Sequence, residues 1–363
     1  MEMNRAFWKG KTVLVTGHTG IKGSWLSLWL HALGAKVIGF ALQSPSSPSL
    51  FEVAAVGEKI VSIHGDVCDL AHLVRVCEQY RPELVIHMAA QALVRESYRS
   101  PVETYETNVM GTVKVLDAAR QVDSVRVVVS VTSDKCYENQ EWDWGYRENE
   151  PMGGHDPYSS SKGCAELVAA AYRRSFFAAG VDAVERPPVH LATVRAGNVI
   201  CGGDWAADRL VPDVMQAFLE KRRVVIRYPG AIRPWQHVLE PLAGYLLLAE
   251  EMWKHGSTFE GGWNFGAEDR DARPVSWIVE RLANLLDGQL QWEVSGAVQP
   301  HEARYLKLDC SKAKNQLGWS PLLNLSTALE WVVRWYQAYQ EGQDMFRVTR
   351  EQIERYEGLL RQA

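Results

Sequence analysis

Basic runs are missing from this chain, and so are long apolar ones. Its 39 lysines and arginines stand against 44 aspartates and glutamates, a formal net charge of −5. The positive residues are scattered, so no nucleic-acid partner is expected. No uninterrupted apolar stretch approaches the ~18 residues a membrane helix needs, so no span is expected. Met1 to Lys11 lack the apolar core of a secretory leader. Cysteine is sparse: Cys68, Cys77, Cys136, Cys164, Cys201 and Cys310 form no C-x-x-C pair. Reduced thiols in a cytoplasmic protein are the expectation, rather than disulfides or a metal site. Neither an internal repeat nor a low-complexity tract interrupts the chain.

What is present is ordinary in bulk and specific in detail. The 363 residues, 47% hydrophobic and 23% charged, suit a globular protein of one large or two modest domains. Thr12-Val13-Leu14-Val15-Thr16 reads as a buried strand. It runs into Gly17-His18-Thr19-Gly20-Ile21-Lys22-Gly23 and a helix expected near Ser24 to Leu33. Glycines at this spacing let a backbone turn tightly beside a pyrophosphate held at a helix N-terminus. Further strands are expected at Lys36–Leu42, Ile60–Ile63, Leu84–Met88, Val127–Val131 and Leu191–Ala196, with helical stretches between the earlier ones. That alternation predicts an α/β fold, a doubly wound parallel sheet of Rossmann type, with a smaller C-terminal substrate-binding lobe. The expected division is a dinucleotide-binding domain over 1–190, a return segment near 236–262, and a substrate lobe over most of 191–363.

Two stretches carry candidate chemistry. Thr132-Ser133-Asp134-Lys135-Cys136-Tyr137 closes the fifth strand with hydroxyls, a carboxylate and an amine. Tyr158 and Lys162 open a long helix at i and i+4, on one face. A cation beside a phenol favours phenolate, so Tyr158 is expected to have a lowered pKa and to exchange protons with a substrate hydroxyl. Y-x-x-x-K alone arises by chance in many helices; joined to the glycine turn it is specific. Asp66 is placed to meet an adenine, although an acid there also suits a helix start, a cap that Asp69 fits better. The small residues Ala89-Ala90-Gln91 leave room for a cofactor over a strand end. The second strand ends in Ala41-Leu42-Gln43-Ser44, with neither the acid of an NAD site nor an arginine for NADP. Asn108 reads as a polar surface position in a helix over Pro101 to Ala119, and Val238 to Trp253 as an amphipathic helix. Gly197-Asn198 through Trp205 looks like a substrate loop. Arg233 suits a diphosphate, and an arginine packed on Trp235 is the equal alternative.

The glycine turn, Asp66-Val67, Ala89-Ala90-Gln91 and the Tyr158/Lys162 pair together resemble the extended short-chain dehydrogenase/reductase family. Within it, Thr132 to Tyr137, Gly197 to Trp205, Asp208-Arg209-Leu210, Arg233 to His237 and Leu306 to Cys310 resemble the branch that dehydrates CDP-glucose. The resemblance runs from Phe7-Trp8 to about Trp319. It implies NAD, held by Gly17, Thr19, Gly20, Ile21, Lys22, Gly23, Asp66, Val67, Ala89, Ala90, Gln91, Thr132, Tyr158 and Lys162. It implies a nucleotide sugar, CDP-glucose, met by Asn198, Arg209, Arg233, His301 and Tyr305, and a deoxysugar precursor as product. A cytoplasmic homodimer or homotetramer paired through the long helices also follows from it.

Three positions depart from relatives. Lys135 stands where dTDP-glucose enzymes carry a glutamate, Cys201 where a glycine is expected, and His18 where something smaller is usual. The residues allow an oxidation at C4 by Tyr158 and Lys162 with Ser133 holding the hydroxyl. Asp134 would protonate the departing 6-hydroxyl, and Lys135, if neutral, would take the C5 proton. An epimerase or reductase on the same fold, and a non-catalytic dinucleotide sensor, are the rival readings.

Overall fold

The structure, a computed structural model, describes residues 2–178, 187–295 and 305–363. Twelve strands occur among them: β1 (Thr12–Thr16), β2 (Lys36–Ala41), β3 (Val61–His64), β4 (Leu84–His87), β5 (Val127–Val131), β6 (His190–Ala196), β7 (Asn198–Ile200), β8 (Val224–Ile226), β9 (Ile232–His237), β10 (Gly261–Phe265), β11 (Ala272–Pro274) and β12 (Trp292–Val294). Seven of them make one sheet in the order β10-β6-β5-β4-β1-β2-β3, and each neighbouring pair is parallel. Runs such as Leu84-Val85-Ile86 and Val127-Val128-Val129 are fully buried, because helices cover both faces of a parallel sheet. The strand order reverses between β1 and β4. Their carboxyl ends therefore open a crevice, the place where such sheets hold ligands. Two smaller sheets, β11-β9-β7 and β12-β8, carry the chain beyond that edge.

Helix boundaries differ from expectation in instructive ways. The helix after the glycine turn begins at Ile21 rather than Ser24. Pro101 to Gln121 is helical throughout, but Glu106–Met110 winds as a π turn between Pro101–Tyr105 and Gly111–Gln121. Asn108 lies on that turn and is buried, contrary to the surface position expected for it. Its amide nitrogen donates to the Gln91 carbonyl (3.0 Å) and to the Ser161 hydroxyl (2.9 Å), and its oxygen accepts from Gln91 N (2.9 Å).

The helix Leu239–His255 is not amphipathic in its setting but buried on nearly every side. One side lies on β5, β6 and β10, and later chain covers the rest. Glu240 accepts from the backbone N–H groups of Leu322 and Leu323 and from the Tyr356 hydroxyl. Glu250 accepts from Trp8 Nε1 and Asn4 N. These two acids are internal acceptors, while Glu251 pairs with Lys254 at the surface.

Behind the carboxyl ends of β5 and β6 lies one dense polar knot. Glu166, on the helix Pro157–Tyr172, meets Arg195 in two hydrogen bonds of 2.8 and 2.7 Å. It also accepts from the hydroxyls of Thr132 (2.5 Å) and Thr193 (2.6 Å). Arg195 donates onward to the Tyr137 hydroxyl (2.6 Å), which donates to Asn264 (2.8 Å). Burial alone would raise the Glu166 pKa, but the Arg195 fork and the hydroxyls hold it below its ordinary 4.5. This stabilisation is present above that ordinary value and is lost as pH falls through the depressed one. Glu166→Gln leaves a buried guanidinium unpaired, so unfolding at neutral pH should become easier by about 3–5 kcal/mol. Denaturant melts measure it, and the variant should shed less stability than the parent on acidification below pH 4.5.

Candidate active site

Gly17 takes φ +76°, and a Cβ there would sit 2.7 Å from Ala89 N; one on Gly23 would sit 2.1 Å from the Gly17 carbonyl oxygen. Only bare backbone lets β1, β4 and the first helix meet this closely. The Thr16 hydroxyl accepts from Met88 N (3.1 Å) and Ala89 N (3.2 Å), which locks the ends of β1 and β4 together. The helix Ile21–Ala32 starts at Gly20 with no side-chain cap. The helices that begin after Asp69 and Asp156 are each capped by those carboxylates. An uncapped helix N-terminus facing a glycine turn is an anion site, and it fits the pyrophosphate of a dinucleotide. The Thr19 hydroxyl ties this turn to the Leu42 carbonyl (3.0 Å). Asp66 is exposed and accepts from Cys68 N (2.8 Å), while Val67 is buried beside it.

His18 is accommodated by the absence of a side chain on Gly39, where a Cβ would strike the imidazole at 2.4 Å. The ring hydrogen-bonds to the Ser62 hydroxyl at 2.7 Å. Burial lowers its pKa to about 4, so it is neutral at physiological pH.

The crevice then meets the end of β5. Ser133 begins a 3-10 turn over Asp134–Cys136; its hydroxyl donates to Asp134 Oδ1 (3.0 Å) and accepts from Lys135 N (3.2 Å). The same hydroxyl lies toward Tyr158 and favours its ionised form. Lys162, one turn along from Tyr158, points its Nζ at the Val131 carbonyl (3.4 Å). Thr132 spends its hydroxyl on Glu166. Ser133, Asp134, Tyr158 and Lys162 are all buried, and Lys135 is half-buried beside them.

The electrostatics correct one expectation. Tyr158 is not acidified: burial pushes its pKa up to about 12, opposed by the Ser133 hydroxyl and by Arg209. Lys162 has its own pKa lowered to about 8, first by burial and then by the Lys22 charge. Asp134 is raised chiefly by burial, against the opposing pull of Lys135, Ser133, Lys22 and Arg233. The site thus favours a neutral carboxyl.

The candidate substrate residues approach from the other side. Gly197 adjoins Asp134: a Cβ on it would lie 3.3 Å from Oδ2. Asn198 follows on β7, in register with Trp235 of β9. Arg209 is held by the Asp204 carboxylate (3.0 Å) and acts electrostatically on Tyr158. Arg233 donates to the Ile232 carbonyl (2.9 Å), and its charge reaches Asp134. The Tyr305 carbonyl accepts from Asn139 (3.1 Å). His301 lies outside the described residues.

Three residues at this site had not been expected in their roles. The Lys22 amine acts electrostatically on the candidate site: its pKa falls to about 8 by burial and the Arg209 charge, while Asp134 opposes the fall. Asn108 fixes the Gln91 loop. Glu166 continues the Tyr158–Lys162 face at the next i+4 step, a spacing that was readable.

A family model described as GDP-mannose 4,6 dehydratase matches residues 14–259. A CDP-glucose 4,6-dehydratase of Salmonella typhimurium is 53% identical over 354 residues, covering 98% of each chain. A dTDP-glucose 4,6-dehydratase of the same organism is 27% identical, over 76% of this chain and 78% of its own. Among solved structures, a dTDP-glucose 4,6-dehydratase of Bacillus anthracis in complex with NAD superposes with a TM-score of 0.74. It is 21% identical, covering 93% of this chain and all of its own. A UDP-glucose 4-epimerase of Thermotoga maritima with UDP-glucose gives a TM-score of 0.76 at 21% identity, over 90% and 99%.

Tyr158→Phe removes one hydroxyl from this arrangement and leaves its packing intact. Turnover of a nucleotide-sugar substrate should fall by about 10²–10⁴, the usual worth of a positioned proton transfer. Calorimetric binding of that nucleotide sugar should be little changed. Near-full turnover would remove Tyr158 from the proton-transfer role.

Proposed function

The chain belongs to the GDP-mannose 4,6-dehydratase family of extended short-chain dehydrogenases/reductases, and from that membership we propose a specific reaction. The enzyme converts CDP-D-glucose to CDP-4-dehydro-6-deoxy-D-glucose, a step toward deoxysugars of surface polysaccharides. One observation carries this beyond fold kinship: the Asp134 carboxyl, kept toward its neutral form by burial, adjoins the Ser133–Tyr158–Lys162 group. A 4-epimerase needs that group but has no use for a protonated acid, and a sensor needs neither.

The Gly17–Gly23 turn would hold NAD, with Asp66, Val67, Ala89, Ala90, Gln91 and Thr132 around it; when bound, the cofactor would supply a hydride acceptor for C4 and a hydride donor for C6. Tyr158 accepts the proton of the 4-hydroxyl. Ser133 holds that hydroxyl in line. Lys162 supplies positive charge beside the phenol as the proton moves. A ketone at C4 makes the C5 hydrogen acidic; Lys135, beside Asp134, takes it as a neutral amine and gives a proton back to C5 when hydride reaches C6. Asp134 gives its proton to the 6-hydroxyl, which departs as water. Arg209 and Arg233 bind the diphosphate, with Asn198, Tyr305 and His301 completing the sugar-nucleotide contacts.

The partner is the nucleotide sugar, with no nucleic acid and no membrane. Among the described residues no helix is long and apolar enough to cross one, and we place the enzyme in the cytoplasm. A second copy of the chain covers the apolar residues left exposed on the two long helices: Val102, Tyr105, Met110, Leu167 and Phe176. Light scattering should therefore report a homodimer or homotetramer, and a monomer at micromolar concentration would overturn this pairing.

Incubation with CDP-glucose should yield a product lighter by one water, with no stoichiometric NADH. In D₂O the product should carry deuterium at C5, and Lys135→Met should suppress both product and label. An isomer of unchanged mass would mean an epimerase; one NADH per sugar consumed would mean a simple dehydrogenase.

A further inference from the structure

Tyr245 is a buried phenol without a task. It lies on the helix Leu239–His255, fully out of solvent. Its hydroxyl has no hydrogen-bond partner. Buried tyrosine hydroxyls nearly always find a partner, because an unpaired one in the core costs about 1–3 kcal/mol. Phenylalanine would fill the same space without that cost.

Its surroundings lead to the catalytic acid. The Tyr245 ring packs edge-on against Phe265, centroids 5.6 Å apart. Phe265 ends β10 in register with Ala196 of β6. The next residue, Gly197, is the one whose missing side chain leaves Asp134 Oδ2 uncrowded. The helix carrying Tyr245 packs directly on β5, the strand that leads to Asp134. Asp134 is also the charged group whose field acts on the Tyr245 hydroxyl. On the carboxyl itself, Ser133 donates to Oδ1. A second polar atom without a partner, Gln236 Oε1, lies nearby: the Nε2 of that side chain holds the Phe265 carbonyl at 2.8 Å. A buried polar atom left unpaired by the protein is what a buried water satisfies.

We infer that Tyr245 is a positioning residue for the dehydration step: its hydroxyl donates, across one buried water, to the Asp134 carboxyl. The inference rests on the dehydratase reading and adds a second donor to its acid. When Asp134 gives its proton to the leaving 6-hydroxyl, water departs and a carboxylate stays behind in a buried place. Ser133 alone then faces that charge from the β5 end. A donor from beneath the sheet stabilises the carboxylate as it forms and keeps Oδ2 turned toward the sugar.

The sign of the effect is fixed. Other groups act on Asp134 from every side: Lys135 and Cys136 on its own turn, Lys22 from the first helix, Tyr158 from the catalytic helix and Arg233 from β9. All of these remain in Tyr245→Phe. Only a donor to the charged form is removed, so the acid becomes weaker. The alkaline limb of dehydration, which needs protonated Asp134, should move up by about one pH unit, and single-turnover elimination below that limb should slow about tenfold.

The test compares Tyr245→Phe, Asp134→Asn and the double variant in the full-length holoenzyme. In Asp134→Asn the Tyr245 substitution should have no further effect on elimination. Phe265→Leu, which disturbs the same packing but keeps the hydroxyl, should lower the melting temperature without moving the limb. Should Tyr245→Phe not fold, Tyr245→Met in the same assays takes its place. An unmoved limb, or a tenfold loss that persists in the Asp134→Asn background, would overturn the inference. If the parent enzyme forms no product lighter by one water, it is the dehydratase reading that fails, not the part played by Tyr245.

Discussion

Glu166 and Arg195 are opposite charges held out of water behind the ends of β5 and β6, and the catalytic geometry hangs from their pairing. Desolvating two ions is costly, and the arrangement is tolerable because every lone pair of the carboxylate is used. The hydroxyls that complete it come from Thr132, just before Ser133, and Thr193 on β6. One side chain of the catalytic helix thereby fixes the strand end that presents Ser133 and Asp134. It does so two turns from Tyr158 on the same face, so phenol, amine and strand end are set by a single rigid contact. Arg195 extends the hold through Tyr137 to Asn264 on β10, coupling three neighbouring strands at the level of the chemistry.

Positive charge around the pocket has two consequences that pull against each other. Lys22, Lys162, Arg209 and Arg233 all act near Asp134 or Tyr158. Gathered cations suit a diphosphate and a dinucleotide. They also make protons easier to lose: burial and the Arg209 charge lower Lys22 to about 8, and burial and the Lys22 charge lower Lys162 to about 8. On Asp134 burial outweighs the cations and moves the carboxyl toward its neutral form.

The parallel sheet was legible because its strands are continuous apolar runs and its glycine turn has a fixed spacing. Tyr158, Lys162, Ser133 and Asp134 were legible for a similar reason: they lie within a few residues of predictable element ends. What escaped was set by distant chain. Asn108 looks like any polar helix residue until a π turn aims it inward at Gln91 and Ser161. Glu240 and Glu250 look like a solvent face until Leu322, Leu323, Tyr356 and Trp8 arrive to use them. The Tyr158 pKa moved against the simple expectation because proximity of a lysine says nothing of how dry the pair is. Lys22 was read only as part of the cofactor turn, and no local pattern shows that its charge also acts on Asp134.

The π turn at Glu106–Met110 has a meaning for how this chain can change. A π turn is one residue too many for an α-helix, absorbed as a bulge. Each residue of an α-helix advances about 100° around the axis, so the bulge resets the angular phase between Pro101–Tyr105 and Gly111–Gln121. Val115, Leu116, Ala118 and Ala119 reach the core only in the second phase. Loss of any single residue here would let the helix wind smoothly and turn one half against the other. Length is therefore constrained in this segment independently of composition: a one-codon deletion would unseat both the sheet contact and the Gln91 loop at once.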